Sequence, residues 1–235
     1  MRRPAQRDQG TKGPTGYLRW ILGRGGVLFT AALLSVCAVA QQPTAKELAA
    51  RVDRHYNALQ SLKAGFVEEY QGLGIKRTES GTLSLAKPGR MRWEYSQPPG
   101  KVFVLDGQYA WFYSVGDPQV QRMAAKQLDD LRSPLRFLLG HTEIEKELNG
   151  LSVTPAAGGG FTLSGQPRGQ ENRVRRIALS VTADGTITGL EIEEMDGALT
   201  RFRLSSQQPN VAIPAETFRF TPPAGVPVVD AAPPV

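Results

Sequence analysis

The chain has 235 residues, 28 of them Lys or Arg and 22 Asp or Glu, with a formal net charge of +6 at pH 7. Six of the basic residues but only one acidic residue, Asp8, lie in the first forty positions, which leaves 22 basic against 21 acidic residues, or +1, in the rest. This balance argues against a nucleic-acid-binding surface, and we expect the basic run RVRR at 173–176 to be a solvated strand end. The only cysteine, Cys37, lies in the same leader, which excludes a disulfide, a thiol nucleophile and a thiolate metal site from the remaining chain.

The first forty residues have the pattern of an export signal. Six basic residues precede an apolar run over 26–39 that is too short for a stable membrane anchor. Ala38-Val39-Ala40 at its end is a small-x-small cleavage site. We therefore expect the mature chain to begin at Gln41. Lipidation of Cys37 is the alternative, although the preceding Val36 is larger than the residue that normally stands before a lipidated cysteine.

The mature chain opens on a helix signal. Thr44 and Glu47 form a capping-box pattern after Pro43. Apolar residues then follow at helical spacing, namely Leu48, Val52, Tyr56, Leu59 and Leu62. The pattern predicts one amphipathic helix over 44–62 with a single apolar stripe.

Strand signals dominate from 64 to about 121. In the segment RMRWEY, Met91, Trp93 and Tyr95 alternate with charged residues, which is the two-residue period of a strand with one apolar face. Asp106-Gly107 ends the next apolar run and predicts a tight hairpin turn in which both residues have positive φ. Five or six antiparallel strands are expected in this part of the chain.

The period changes after these strands. Ser133 is a candidate cap, Pro134 stands at a first helical position and Gly140 is a stop signal, which predicts a short helix over 133–140. Further strands are expected beyond it, with hairpin signals at Asn149-Gly150, Asp184-Gly185 and Asp196-Gly197. The Pro-rich tail after Thr221 is expected to be extended or mobile.

Short links between the strands favour sequential antiparallel pairing, because parallel pairing needs crossovers of a dozen residues or more. The helices are too few to cover both faces of such a sheet, so the sheet should curl around its apolar face. The predicted fold is α+β: an incomplete, open antiparallel β-barrel of about ten or eleven strands with a helical lid. It would form one domain over 41–221, between the signal at 1–40 and the tail at 222–235. Whether side chains fill its interior or leave an apolar cavity is not decided by these patterns.

No pattern of catalytic residues is present. The chain has only two histidines, His55 and His141, and we expect both to be partly exposed surface residues. Nucleophile-elbow, zinc-protease and phosphate-loop motifs are all missing from the sequence. Adjacent carboxylates such as Glu68-Glu69 point to opposite faces of a strand and make poor acid/base pairs. We therefore expect a protein that is not an enzyme and that holds neither a cofactor nor a metal.

The segment 87–121, KPGRMRWEYSQPPGKVFVLDGQYAWFYSVGDPQVQ, resembles the signature region of the periplasmic outer-membrane lipoprotein carrier protein family, LolA. The resemblance extends over nearly the whole mature chain. It rests on Pro88 with Met91 and Trp93, on Asp106-Gly107, on Trp111 with Tyr113, on Gln119-Val120, on Ser133-Pro134-Leu135, and on the ending FRFTPPAGV at 218–226.

The resemblance implies an incomplete barrel whose apolar cavity receives the acyl chains of lipoproteins that cross the periplasm. Its implied lining, by position, is Met91, Trp93, Phe103, Leu135, Leu138 and Leu139. The Arg that the family carries before the corresponding proline is Lys87 here, and Lys87, or Arg90 on the same strand, is the implied lid latch. Lysine keeps the charge but loses the planar fork of arginine.

The resemblance also implies partners. These are acylated lipoproteins, an inner-membrane ABC transporter that loads the carrier, and an outer-membrane acceptor that unloads it, with the carrier itself a monomer. Two alternatives of the same shape stay open at this point: a lipid-anchored acceptor resembling LolB, and a periplasmic regulator that senses lipoproteins.

Overall fold

Helix α1, Ala45–Ala58, begins at the predicted capping box. The computed structural model describes residues 42–130, 143–156 and 158–231. In it the Glu47 backbone N–H donates to the Thr44 hydroxyl, and the Thr44 backbone N–H donates to the Glu47 carboxylate. The helix ends before the predicted boundary at 62, so that part of the prediction is wrong. The reason is that Leu62 belongs to the first strand, where it alternates with Ala64 and Phe66 as a buried residue.

Twelve strands form one sheet over the described residues, slightly more than the ten or eleven predicted. They are β1 (Ser61–Gly72), β2 (Ile75–Ala86), β3 (Arg90–Gln97), β4 (Pro99–Leu105), β5 (Tyr109–Ser114), β6 (Val120–Ala124), β7 (Leu148–Pro155), β8 (Phe161–Pro167), β9 (Val174–Val181), β10 (Ile187–Glu194), β11 (Leu199–Pro209) and β12 (Val228–Asp230). Their order across the sheet is β12-β6-β5-β4-β3-β2-β1-β11-β10-β9-β8-β7. The sheet is open, because its two outermost strands do not pair with each other, and this confirms the predicted fold class.

One strand pair departs from the predicted antiparallel pattern. β12 pairs in parallel with β6, from Val228 opposite Val120 to Asp230 opposite Arg122. The expectation of antiparallel pairing alone is wrong because the segment 210–227 provides the long crossover that a parallel pair needs. This segment is held to the sheet by aromatic residues: Phe220 lies against Trp111 of β5, with ring centroids 5.7 Å apart.

Two predicted turns differ in detail from the observed backbone. At Asp106-Gly107 the hairpin forms, but only Gly107 has positive φ, because the Asp106 carboxylate accepts the backbone N–H groups of Gln108 and Tyr109 and makes a longer loop. At Asn149-Gly150 the prediction of a hairpin is wrong. Gly150 lies inside β7, where the pairing with β8 shifts register, so it forms a bulge.

The other helical pieces are short: α2 (Ala125–Asp130), α3 (Ile144–Glu147) and a 3₁₀ turn at Ala215–Phe218. The predicted helix over 133–140, Cys37 and His141 lie outside the described residues. Within the described ranges, none of the helices has the length and apolar character needed to cross a bilayer.

Charged residues on the outer face of β9–β11 pair with one another. Arg175 Nη1 lies 2.8 Å from Glu193 Oε1, Arg176 pairs with Glu191, and Arg201 Nε lies 2.7 Å from Glu191 Oε2. A cleft of about 700 Å³ opens on this part of the sheet and is lined by several of these residues. The RVRR run therefore contributes two of its arginines to ion pairs on the strand surface, which agrees with its interpretation as a solvated strand end.

Candidate functional site

The strand register aligns apolar side chains in rows across one face of β1–β6, because same-face residues recur every second position. The first row contains Leu62, Leu85, Met91, Leu105, Ala110 and Met123. The second row contains Ala64, Leu83, Trp93, Phe103 and Phe112, and the third contains Phe66, Gly81 and Tyr95. We call these three rows the apolar wall. The predicted lining residues Met91, Trp93 and Phe103 all belong to it.

Aromatic rings pack edge to face at the centre of the apolar wall. Phe66 lies 4.6 Å from Trp93 and 5.0 Å from Tyr95, and Trp93 lies 5.5 Å from Phe202 of β11, measured between ring centroids. The Trp93 indole N–H donates to the Met91 sulfur at 2.8 Å, which gives this buried donor a partner without a polar side chain. The wall therefore combines large apolar area with almost no hydrogen-bonding groups of its own.

Gly81 lets the third row form. A Cβ at this position would lie 2.0 Å from the backbone oxygen of Glu94 on β3. The pairing of β2 with β3 shifts register between Ser80 and Gly81, so the two backbones approach more closely here than a side chain would allow. Phe66 and Tyr95, which lie opposite Gly81 on the two neighbouring strands, have ring centroids 5.0 Å apart.

Much of the apolar wall is covered in this structure. Met91 and Trp93 are each 2% exposed, and they belong to one buried cluster with Leu48, Val52 and Tyr56 of α1. The amphipathic stripe of α1 is thus part of the same core. Phe103 and Phe112 are only partly buried, whereas an apolar ligand can reach Met91 and Trp93 only if part of this cover moves.

Polar contacts fix α1 to the hairpin between β9 and β10. The Arg51 guanidinium donates to the backbone oxygen of Ala183 at 3.0 Å, and the Tyr56 hydroxyl accepts the backbone N–H of Ile187 at 3.0 Å. Burial raises the pKa of Tyr56 to about 12. At Gly185 the approach is so close that a Cβ would lie 2.6 Å from the Arg51 backbone.

Lys87 contacts the C-terminal end of the helix. This residue lies in the turn between β2 and β3, and its ammonium group donates to the backbone oxygens of Tyr56 and Asn57, both at 2.8 Å. These carbonyls belong to the last turn of α1, where the macrodipole attracts a cation, and the Tyr56 oxygen also accepts the Leu59 backbone N–H. Burial lowers the pKa of Lys87. The sequence-predicted latch residue is therefore in direct contact with the helix that covers the wall.

Arg90, the other predicted latch residue, lies elsewhere. Its guanidinium stacks on the ring of Phe218, 5.3 Å from the centroid, on the face of β3 opposite the apolar wall. It thus packs against the C-terminal crossover segment. The predicted lining residues Leu135, Leu138 and Leu139 lie outside the described residues, so their place on a lid stays a prediction.

A band of charged and polar side chains ends the apolar wall at the side away from Lys87. Glu79 is 4% exposed, and its carboxylate accepts the Lys101 ammonium at 2.6 Å and lies 3.2 Å from Arg77 Nε. The Tyr95 hydroxyl donates to Glu68 Oε2 at 2.9 Å, and the Lys101 ammonium lies 4.2 Å from the centroid of the Tyr95 ring. Burial and the Glu68 carboxylate raise the pKa of Tyr95. We call these five residues the charged band.

Asp53 connects α1 to α3. Its two carboxylate oxygens accept the backbone N–H of Ile144 at 3.2 and 3.1 Å. Burial raises the pKa of Asp53 to about 6, with smaller contributions from the neighbouring Glu143 and Glu147 carboxylates, and the Ile144 hydrogen bond opposes this rise. The contact joins the covering helix to the segment that leads into β7.

Sequence reasoning missed the charged band and the Tyr56 contact. Glu79 and Lys101 lie 22 positions apart in polar stretches that read as exposed strand, and only the strand register brings them together. The apolar period of α1 marks Tyr56 as buried but gives no sign of the Ile187 backbone as its partner. Among the described residues no group of three or more His, Cys, Asp or Glu side chains is arranged to hold a metal ion.

An open sheet with a covered apolar wall defines a half-barrel protein with a sheltered hydrophobic interior. Residues 57–221 match the family model described as outer membrane lipoprotein carrier protein LolA, and the chain belongs to this family.

Individual relatives agree with this assignment. An outer-membrane lipoprotein carrier protein of Nitrosospira multiformis is 32% identical over 157 residues, covering 66% of this chain and 74% of that protein. Another, of Chromobacterium violaceum, is 30% identical over 187 residues, covering 80% and 89%. A crystal structure of an uncharacterized conserved protein from Thermus thermophilus superposes with a TM-score of 0.51 at 14% identity, over 80% of this chain and 99% of that one, and supports the fold alone.

Proposed function

We propose that this protein is a periplasmic carrier that shields the acyl chains of lipoproteins on its apolar wall while they move from the inner to the outer membrane. The buried, almost donor-free wall carries the proposal, and the names of the relatives agree with it. Each acyl methylene kept from water contributes about 0.8 kcal/mol, so a multiply acylated lipoprotein needs a shelter of this kind to cross an aqueous space. No chemical step is required.

Loading displaces α1 from the wall in this mechanism. The helix leaves when an acyl chain stabilises the uncovered state more than the apolar stripe of α1 and the contacts of Lys87, Arg51 and Tyr56 stabilise the covered one. These polar contacts re-form once the acyl chain has left, so the helix can cover the wall again after release. Lys87 acts as the latch at the helix C-terminus.

We further propose the direction of transfer. The same burial energy that favours loading opposes release, and the sequence has no nucleotide-binding loop, so an ATP-driven inner-membrane transporter supplies the cargo. An outer-membrane acceptor with greater affinity for the acyl chains receives it. The carrier works as a monomer between these two partners.

Two neighbouring residues on β4 test the apolar wall. Phe103 faces the wall and pairs with Phe112, whereas Val102 points to the other face and pairs with Tyr113. Phe103→Asp places a charge among the acyl chains and should abolish cargo binding. Val102→Asp adds the same charge to the same strand and should leave cargo binding intact.

The measurement is native mass spectrometry of each protein purified from its own cell envelope, with circular dichroism to show that both variants fold. The wild type and Val102→Asp should carry acylated protein or lipid, and Phe103→Asp should not. Equal cargo on the folded Phe103→Asp variant would show that the acyl chains bind elsewhere.

A further inference from the structure

The turn between β1 and β2 exposes apolar side chains at the end of the sheet beyond the charged band. Leu73 is 81% exposed and Ile75 is 56% exposed. Met195, which is 45% exposed, lies in the adjacent turn between β10 and β11. The two turns are in close contact, since a Cβ on Gly72 would lie 2.7 Å from the Ala198 Cβ. Three large apolar side chains therefore share one solvent-facing tip.

This tip extends beyond the neighbouring strand β3. The last pair between β2 and β3 joins Ser80 to Gln97, whereas β1 and β2 stay paired as far as Gly72 and Ile75. Five residues of β2 beyond Ser80 span about 16 Å in extended form. The tip can thus meet a flat surface before most of the sheet does.

Leu73 is unfavourable at this position in two ways. Its φ of +50° lies in the left-handed region, which bulky side chains seldom occupy, and its side chain is in water. Gly72 and Gly74 flank it, so the turn has no packing that would hold a leucine in place. A glycine or asparagine would suit both backbone and solvent better.

The residues beside the tip have the chemistry of a membrane interface. Lys76 follows Ile75 directly. Arg77, which pairs with Glu79 in the charged band, lies with its guanidinium 5.4 Å from the centroid of the Tyr70 ring. Peripheral proteins are anchored at lipid headgroups by a combination of apolar side chains at a tip, an aromatic ring behind them and cations on long apolar stems. The exposed Lys76 ammonium favours a lipid surface of negative charge, and Asp196 in the adjacent turn opposes it.

We propose that the β1–β2 tip docks on an anionic membrane surface through Leu73 and Ile75, with Lys76 at the headgroups. This docking is separate from the binding of cargo, because the tip lies beyond the charged band and outside the apolar wall. Docking places the end of the sheet that carries the β1–β2 turn against a bilayer.

The test is sedimentation of the exported protein with vesicles of phosphatidylethanolamine and phosphatidylglycerol, at low and high salt, compared with phosphatidylcholine vesicles. Leu73→Asn, which the left-handed backbone accepts, should weaken binding roughly tenfold through loss of one buried leucine. Lys76→Gln should weaken it about fivefold at low salt. Val229→Ser is the control, since Val229 is an apolar residue on β12 that is 40% exposed and lies outside the tip, and this variant should bind as the wild type does.

Each outcome decides the proposal. Phe103→Asp should sediment like the wild type, because docking does not use the apolar wall, and this separates docking from uptake of vesicle lipid as cargo. Leu73→Trp should give a blue shift of tryptophan emission on addition of anionic vesicles. Wild-type protein that stays in the supernatant, or Leu73→Asn that binds as tightly as Val229→Ser, would overturn the proposal and indicate a protein partner for the tip.

Discussion

Replacing Lys87 by methionine tests the latch directly. Methionine keeps most of the apolar stem of lysine but removes the ammonium group that donates to the Tyr56 and Asn57 backbone oxygens. We expect Lys87→Met to shift α1 towards the uncovered state, while the rest of the sheet stays folded. Faster loading with acyl ligand should follow.

The size of the effect follows from the two hydrogen bonds that the substitution removes. A hydrogen bond from a charged donor contributes about 1.5–3 kcal/mol when buried, and a cation at a helix C-terminus contributes about 0.3–1 kcal/mol more. Lys87 is only partly buried, so water replaces part of both contributions. A net loss of about 1.4 kcal/mol is reasonable, and it raises the equilibrium constant for opening about tenfold.

Hydrogen–deuterium exchange of the α1 amides and stopped-flow uptake of a fluorescent acyl probe measure this change. Lys63→Met is the control, because Lys63 is an exposed lysine on β1. Lys87→Met should exchange about ten times faster in α1 and take up the probe faster, and Lys63→Met should match the wild type. If both variants exchange and load at wild-type rates, Lys87 does not latch the helix.

The carboxylate at Asp53 and the ion pair of Glu79 with Lys101 give two further predictions. The folded-state pKa of Asp53, about 6, lies above its unfolded value of about 3.9, so its contribution to stability is complete below pH 4 and is lost as pH rises through 6. Asp53→Asn should therefore reduce the gain in stability between pH 7 and pH 4 by about 1 kcal/mol, a value lowered because Asp53 is half exposed to solvent. Thermal melts of this variant that match the wild type across this pH range would refute the assignment. Lys101→Met leaves the buried Glu79 carboxylate with Arg77 alone and should cost about 2 kcal/mol in urea unfolding. Adding Glu79→Gln should restore part of that loss, and an additive further loss would contradict the pairing.

Much of the fold follows from local patterns in the sequence. The alternation of Met91, Trp93 and Tyr95 with charged neighbours correctly identifies both the strand and its buried face, since a two-residue period leaves only one face apolar. The capping box at Thr44 correctly places the start of α1, because its hydrogen bonds span only three residues. The predicted C-terminal boundary of α1 was less accurate. Leu62 fits the helical period and the strand period equally, and its pairing with Leu85 decides in favour of the strand.

Features that depend on distant residues could not be predicted. The parallel pair of β6 and β12 joins residues 108 positions apart, and Pro-rich composition says nothing about where such a segment docks. Lys87 could be named only through the family resemblance, and its two acceptors on α1 follow from the three-dimensional path of the chain. The burial of Glu79 likewise depends on the cations that the neighbouring strands bring to it.

The two tryptophans of the sheet stand on opposite faces. Trp93 is enclosed among Phe66, Met91 and Phe202, whereas the indole N–H of Trp111 donates to Asp106 beside the C-terminal crossover. Their light emission therefore reports on different surroundings within one molecule. With Trp111 changed to phenylalanine, Trp93 becomes the single indole of the sheet, and its emission reports whether the interior holds a lipid tail, helix side chains or water.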